Sequence, residues 1–512
     1  MTLRLPRRRL LATAAAAPLL ALPGLSRAAT RPVITHGVQS GDVAHDGAVL
    51  WARADRPARM SVEVATTESF AGARAVAPLD VTAAQDYAGK LVVEGLPADQ
   101  DIFYRVAFTD LADVNAVSEP VTGHFRTAPA SRRDVTFVWS GDTAGQGWGI
   151  DRDRGGMTTY ATMLGHRPDF FIHSGDTIYA DGPLKPEVAL EDGTVWRNVI
   201  TEEKAKVAET LHEFRHNYLY NLMDDHVRAF NAQVPMMAQW DDHETVNNWY
   251  PNEVLAADDR YTEKSVALLA ARANLAFREM MPMRESLVEP GRIYRKVAYG
   301  PHLDIFFIDL RTYRGDNSTN DQAEQGGPAS FMGRDQIDWL KRGLANSRAT
   351  WKVIASDMPI GMIVGDGDHF ENGANGDGPV RGREHDIAEV LAFAKAAGVK
   401  NMVWLTADVH YTAAHHYSPD RAVFQDFEPF WEFVTGPLHA GTFGPSRYDN
   451  TFGPKVRFSK HPAEGRRNLP PSEGLQFFGK VDIEGATGAM TVTLMDAADT
   501  ALWSTTLEPA GA

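Results

Sequence analysis

The chain of 512 residues contains no cysteine. It can form no disulfide and has no thiolate nucleophile or thiolate metal ligand. Any metal must be held by Asp, Glu, His, Asn, Tyr and hydroxyl or backbone oxygens, a donor set suited to hard or borderline cations. Basic charge is also scarce: 51 Lys and Arg stand against 67 Asp and Glu, a formal net charge of −16. That excludes a general nucleic-acid binder, which needs a basic face. A phosphate-bearing substrate stays open, because bound cations reverse the sign locally. No stretch past the N-terminus is a transmembrane candidate, and no internal repeat is present. The glycine-rich "NGANGDGPVRGRE" lacks the preceding strand and following Lys-Ser/Thr of a P-loop.

The apolar content of 44% and charged content of 23% are ordinary for a globular protein. The first residues read as an export signal over 1–28. Arg7, Arg8 and Arg9 precede a short Ala/Leu-rich segment, and Ser26-Arg27-Ala28 offers small residues for cleavage near Ala28. The consecutive arginines resemble a twin-arginine signal. The expected partner is then the twin-arginine export machinery, and the expected location is periplasmic or secreted. The apolar run is too short and too interrupted by proline for a stable membrane anchor.

Residues 31–128 read as a small all-β domain of fibronectin-III or immunoglobulin type. "AVLWARA", "MSVEVAT", "YAGKLVVEGL", "DIFYRVAFTD" and "VTGHFRTAP" are short alternating segments between turn residues. Tyr104 reads as a packing residue of that sandwich. Pro129 to Arg133 reads as a linker. From Asp134 the grammar changes. "DVTFVWSGD", "PDFFIHSGD", "VPMMAQWDDHE", "LDIFFIDLR", "WKVIASDMP" and "KNMVWLTADVH" are continuous apolar runs ending in acidic residues. Such runs are strands buried on both faces. With the helical patterns "EEKAKVAETLHEFRHNYLYNLM" and "YTEKSVALLAARANLAFREMM" between them, they predict an α/β layered domain over 134–508. A hairpin over "GAMTVTLMDAADTALWSTTLEP" closes it. Gly365 to Asp386, rich in Gly and Asp, reads as a long mobile loop over the substrate.

The strand ends carry the chemistry. Asp142, Asp176, Asp242 with His243, Asp309 with Arg311, and Asp408 with His410 each follow an apolar run. Taken singly, each is a turn or cap residue. Together, carboxylates and imidazoles at the ends of neighbouring strands point to metal binding, since only cations offset their mutual repulsion. The run Asp241-Asp242-His243-Glu244 poses that repulsion most sharply. His173 reads equally as support for a ligand or as a core histidine, His415 and His416 follow His410 closely enough to sit near the metals, and none of the three is assigned a role.

Asp142, "GDTIY" (Gly175 to Tyr179), "WDDHE" (Trp240 to Glu244), "DLRTYR" (Asp309 to Arg314) and "ADVHY" (Ala407 to Tyr411) occur in an order that resembles the PhoD-like alkaline phosphatase family. That family belongs to the calcineurin-like metallophosphoesterase superfamily. "THGVQSGD" at Thr35 to Asp42 resembles the entry to its N-terminal β-domain. The resemblance implies a four-layer αββα sandwich and a centre of two or more metal ions. It implies Asp142, Asp176, Tyr179 and His410 as ligands of one metal. Asp176 would bridge to a second metal held by Asp242, with Asn247 a further ligand candidate. The family carries a cysteine after its first aspartate, as an iron ligand. Here that position is Thr143. Ferric iron is thereby in doubt, divalent Ca, Mn, Zn or Fe is expected, and Thr143 would hydrogen-bond a metal-bound water.

The expected activity is hydrolysis of phosphate esters by attack of a metal-bound hydroxide. Arg311 is expected to stabilise charge on the phosphoryl oxygens, and His243 to protonate the leaving oxygen. Asp241 and Glu244 would orient His243 or a metal-bound water. The substrate is a small phosphate ester or phospholipid. Two alternatives remain: a phosphodiesterase or phospholipase D-type hydrolase on the same fold, and a periplasmic binding protein for phosphate esters.

Overall fold

The computed structural model describes residues 30–511. The expected export signal and its cleavage position lie outside the described residues. Among the described residues, no helix is long and apolar enough to cross a membrane.

Two large sheets dominate the structure. In the nine-stranded sheet, Val135–Ser140, Phe170–Ser174 and Met236–Gln239 run parallel and adjacent. In the seven-stranded sheet, Leu303–Phe307, Trp351–Ala355, Met402–Thr406 and Phe430–Val434 run parallel. Successive residues of a strand point to opposite faces. Phe137, Trp139, Phe170 and Ile172 meet Ile305, Phe307, Val353 and Leu405 in one core between the sheets. Val138 and Phe171 point the other way, into a core with helices Thr158–Gly165, Leu211–Asn221, Asp225–Asn231 and Val266–Met280. Phe306, Ile354 and Trp404 pack on helices Arg334–Asn346 and Glu384–Ala396. Both faces of these strands are therefore buried, which is why their sequences are unbroken apolar runs.

The strands of the N-terminal segment fall near the expected places, and Ala48–Ala54 and Asp101–Asp110 coincide with them. Their pairing does not respect the sequence break at Pro129. Ile34–Gly41, Ala48–Ala54 and Ala88–Val93 extend the nine-stranded sheet, joined through the parallel pair Gly41 and Met236. The remaining strands, chiefly Ala58–Ala65, Asp101–Asp110 and Val121–Arg126, form a separate five-stranded sheet. Leu50, Val62, Tyr104 and Phe125 belong to the same apolar cluster as Phe137 and Ile305, so the core is continuous across the break. Tyr104 is wholly buried within it. A Cβ at Gly41 would stand 2.3 Å from the carbonyl oxygen of Pro282 and 2.4 Å from that of Met236. Only glycine lets the seam close.

Three expectations are corrected. The helix expected across Glu202 to Met223 begins only at Leu211, because Thr210 and Glu213 form a reciprocal capping box that starts it there. The helix expected across Tyr261 to Met281 spans Val266–Met280, capped by Ser265. Gly365 to Asp386 is not a free loop. Gly365–Asp366 pairs with His369–Phe370, and Glu371, Asn372 and Arg383 are buried. Asn372 Nδ2 donates to the carbonyls of Pro359 and Met362 at 2.6 and 2.8 Å. The C-terminal hairpin forms as expected, from Met490–Asp496 and Ala501–Leu507.

Gly41→Ala is expected to cost about 1–3 kcal/mol, the usual penalty for overpacking a core. A lowered thermal unfolding midpoint checks it; an unchanged midpoint would mean that the seam has slack.

Candidate metal centre

Parallel strands present their carboxyl ends along one edge, and the loops there hold the polar residues. Asp142, Asp176, Asp408 and His410 all have left-handed backbone, with φ of 67°, 51°, 69° and 58°. Non-glycine residues seldom adopt it, and such outliers concentrate at functional sites. The turn after Phe170–Ser174 is braced from behind. Thr177 donates its backbone N–H and its hydroxyl to Glu244 Oε1 at 2.6 and 2.5 Å. Asn221 donates to the Thr177 carbonyl at 2.6 Å, and buried Lys204 to the Tyr179 carbonyl at 2.8 Å.

These turns bring two clusters together. Asp142, Asp176 and His410 form one; Asp176, Asp242 and His243 form the other, each with its ligand atoms within 4.8 Å of one another. Asp176 is common to both. Tyr179 Oη lies 2.8 Å from His410 Nε2. Asp241, Asp242 and Asp408 form a further group beside them. The clusters open on a cavity of about 340 Å³ whose lining includes Asp176, Asp242, His243, Asn247, Asn248, Glu371, Asp408, His410 and Arg467. A larger cavity of about 740 Å³, walled by Trp240, Trp249, Tyr294 and Tyr313, contains none of these groups.

The electrostatics are those of a site built around cations. Burial, then the neighbouring acids, pushes the carboxyls of Asp142 and Asp176 well above the ordinary range. Burial and then Asp176 and Asp142 do the same to the Tyr179 phenol. Burial opposes ionisation of Asp242, but His243 and Arg311 outweigh it and hold that carboxyl low. Both oxygens of Asp142 are buried without a hydrogen-bond donor. A Cβ at Gly436 would fall 2.1 Å from Asp142 Oδ2, so glycine there is what leaves the carboxylate room. Burial lowers His410 to about 4, and the ring is neutral. Its Nδ1–H points at the Gly441 carbonyl, which leaves the Nε2 lone pair facing the cluster. Orphaned carboxylate oxygens beside a neutral, oriented imidazole fit divalent cations.

Several expected residues stand elsewhere than the sequence placed them. Asp142, Asp176, Tyr179, Asp242, His243 and His410 come together, and Asn247 lines the cavity. Arg311 does not reach the cavity. It is wholly buried, donates from Nε to Asp241 Oδ1 at 2.6 Å, and has Nη2 2.5 Å from Glu371 Oε1. Asp242, Asp357 and Asp408 each place an oxygen 3.8 Å from the guanidinium. It is the internal counter-charge of the site. The arginine on the cavity wall is Arg467, packed over the Phe443 ring at 5.7 Å. Neither Asp241 nor Glu244 orients His243. Asp241 gives Oδ1 to Arg311, and Glu244 braces Thr177 and accepts from the Asp241 N–H at 2.8 Å. The partner of His243 is Asp181, whose Oδ1 lies 2.7 Å from Nδ1 while its Oδ2 accepts from the Asn247 N–H at 2.8 Å. Thr143 Oγ1 is engaged by Tyr160 Oη and His173 Nε2, both at 3.0 Å. His415 is buried against Glu432 and Tyr448.

Asp181, Glu371, Asp357 and Arg467 were missed. Asp181 follows the Gly175–Tyr179 motif by two residues, close enough for its carboxylate to have signalled a role. Asp357 ends the apolar run "WKVIASDMP", two residues after strand Trp351–Ala355, and so carried the same signal as the other strand-end acids. Glu371 and Arg467 sit in loops whose course only the fold sets.

Carboxylate–histidine clusters that share one residue, at the strand ends of paired α/β sheets, define a site of the metal-dependent hydrolase kind. Comparison with known proteins agrees. Residues 137–494 match the family described as PhoD-like phosphatase, and residues 16–129 match its N-terminal domain. Alkaline phosphatase D of Bacillus subtilis (strain 168) is 29% identical over 437 residues, which cover 80% of this chain and 68% of that protein. The solved structure of PhoD superposes with a TM-score of 0.68 at 21% identity, covering 94% of this chain and 90% of that one. A purple acid phosphatase from yellow lupin (Lupinus luteus) seeds shares the fold, with a TM-score of 0.56 at 11% identity over 94% of this chain and 74% of its own. The chain belongs to the PhoD-like phosphatase family. It is a hydrolase of phosphoric ester bonds.

Arg311→Met is expected to cost about 3–5 kcal/mol, because it strands buried carboxylates without their counter-charge. Arg467→Ala, at the cavity wall, should leave the thermal midpoint unchanged and raise KM. The opposite pattern, a stable Arg311→Met protein with raised KM, would return Arg311 to substrate binding.

Proposed function

We propose that this protein is an exported, metal-dependent phosphoesterase of alkaline phosphatase type. The observation that carries the reading is the sharing of Asp176 by two carboxylate–histidine clusters on the floor of an open cavity. Asp142, Asp176, Tyr179 and His410 would hold one cation. Asp176 and Asp242, with Asn247 beside them, would hold a second. Cations held there would supply Lewis acidity toward water and the phosphoryl oxygens. We take them to be divalent, from among Ca, Mn, Zn and Fe, because the chain has no cysteine and Thr143 is committed to Tyr160 and His173.

The side chains do the positioning and the proton transfer. Burial works against the His243 imidazolium, but Asp181, Asp242 and Asp176 outweigh it and raise its pKa well above the ordinary value. With Nδ1–H fixed on Asp181, the other ring nitrogen holds a proton for the leaving oxygen. Arg467 meets the negative charge of an incoming phosphate ester at the wall. Glu371, tied to Arg311, also lines the cavity. The stack of helices, nine-stranded sheet, seven-stranded sheet and helices is read as the four-layer αββα arrangement. Residues 31–128 are read as an N-terminal β segment, three of whose strands join the nine-stranded sheet, and 134–508 as the catalytic domain. The basic leader is the ground for placing the mature protein in the periplasm or outside the cell.

The deciding experiment compares p-nitrophenyl phosphate with bis-p-nitrophenyl phosphate, before and after chelation, with divalent ions added back singly. The monoester should turn over faster, lose turnover with chelator, and regain it with a divalent ion alone. Faster turnover of the diester would make the protein a phosphodiesterase. A visible charge-transfer band that tracks activity would reinstate ferric iron.

His243→Ala should lose about 10²–10⁴-fold in kcat on an alkyl phosphate, the range for general acid catalysis. The loss should be smaller on p-nitrophenyl phosphate, whose leaving group needs little protonation. Equal losses on both would show that His243 only positions the ester.

A further inference from the structure

Away from the metal centre, ligand-type side chains converge where the N-terminal β segment meets helix Leu211–Asn221. His212 and His216 lie four residues apart on one face of that helix, with ring centroids 3.9 Å apart. Asp86, just before strand Ala88–Val93, brings Oδ2 to 3.2 Å from His216 Nε2. Glu203 brings Oε1 to 3.3 Å from both His216 Nδ1 and His212 Nε2. Ligand atoms of Asp86, His212 and His216 lie within 4.8 Å of one another. His216 Nε2 is buried and forms no hydrogen bond, since Asp86 approaches it at the wrong angle. A buried ring nitrogen left without a partner is costly unless something else takes its lone pair.

We propose that this cluster is a second, independent cation site that takes one divalent ion of the zinc class through His212, His216 and Asp86. Glu203 Oε1, 3.3 Å from His216 Nδ1, stands where it would accept the Nδ1–H once Nε2 is on the cation, which would fix the tautomer. Arg53 also holds Asp86, with Nη2 3.1 Å from Oδ1 and Nε 3.2 Å from Oδ2. Each carboxylate oxygen keeps a second lone pair for the ion. Asp86 and Glu203 against Arg53 leave one net negative charge beside the two imidazoles, so a divalent cation is favoured. Arg53 keeps the affinity below that of a closed structural site. Two imidazoles select zinc-class ions over calcium or magnesium.

The stretch His212-Glu213-Phe214-Arg215-His216 has the His-Glu-x-x-His spacing that, in metalloproteases, supplies a catalytic glutamate. Here Glu213 is spent on its own helix: Oε2 accepts from the N–H groups of Thr210 and Glu209, both at 2.8 Å. The site is therefore a clip and not a second hydrolytic centre. It joins the turn at Asp86 to the helix whose Asn221 holds Thr177, beside Asp176.

The test uses the protein loaded with its catalytic metals, equilibrated with micromolar Zn²⁺ at pH 8. Elemental analysis should find one more zinc equivalent in the wild type than in His212→Ala/His216→Ala, with phosphatase turnover equal in both. Added Zn²⁺ should raise the thermal midpoint of the wild type alone. His212→Ala provides the same comparison if the double variant folds poorly, because this side chain is 59% exposed. Zinc exchanging into the catalytic centre affects all the proteins alike and cancels. Equal zinc content and equal Zn²⁺-dependent midpoints in wild type and variants would overturn the proposal.

Discussion

The structure depends on keeping a concentration of negative charge buried at the strand ends. Asp142, Asp176, Asp241, Asp242 and Asp357 are all buried, with Glu371 and Asp408 against them. Two unit charges 4 Å apart interact by about 4 kcal/mol at an effective dielectric of 20. Several such repulsions rival the whole net stability of a domain. Arg311 answers half of the problem, with five carboxylates around one guanidinium. The other half, Asp142 and Asp176, has no internal arginine. Those carboxyls stay neutral through raised pKa values, or ionise against His243 and bound cations. Stability and cation binding are thus one property of this edge of the sheets.

That edge can be held rigid because the architecture behind it is closed on every side. The strands that deliver Asp142, Asp176 and Asp242 are buried on both faces, between a helix layer and the second sheet. Their turns are tied to one another by Glu244, and to helix Leu211–Asn221 by Asn221 and through Lys204, which bonds both the Tyr179 carbonyl and Asn217. The N-terminal segment reinforces the arrangement by hydrogen-bonding directly onto the same sheet at Gly41. A ligand set that must stay within hydrogen-bond distances gains from such bracing, since small displacements of a catalytic group cost rate steeply.

Much of this is legible in the chain. A strand buried on both faces must be apolar at every position, and its polar residues can only collect in the loop at its end. Continuous apolar runs that stop at acids carry that signature, and it places Asp142, Asp176, Asp242 and His410 at a common site, with Tyr179 and His243 beside them. Short-range signals are legible too. The Ser265 cap and the Thr210–Glu213 box are local in sequence, although the second sits inside a helical pattern that runs on unbroken to either side of it and so hides where the helix starts.

What the sequence by itself determined is the set of strand ends and the residue types on them, because periodicity and turn chemistry act over a few residues. What only the tertiary structure decided is which charge faces which. Arg311 follows Asp309 in a motif that points to substrate, yet it lies inward among carboxylates from four other segments. Asp181 serves His243 from 62 residues away. Thr143 answers to His173 and Tyr160 rather than to its neighbour Asp142. The sheet that joins Gly41 to Met236 crosses a break that looks like a domain boundary in the chain. Pairing between distant charges and distant strands is set by how the layers stack, and no local pattern encodes the stacking.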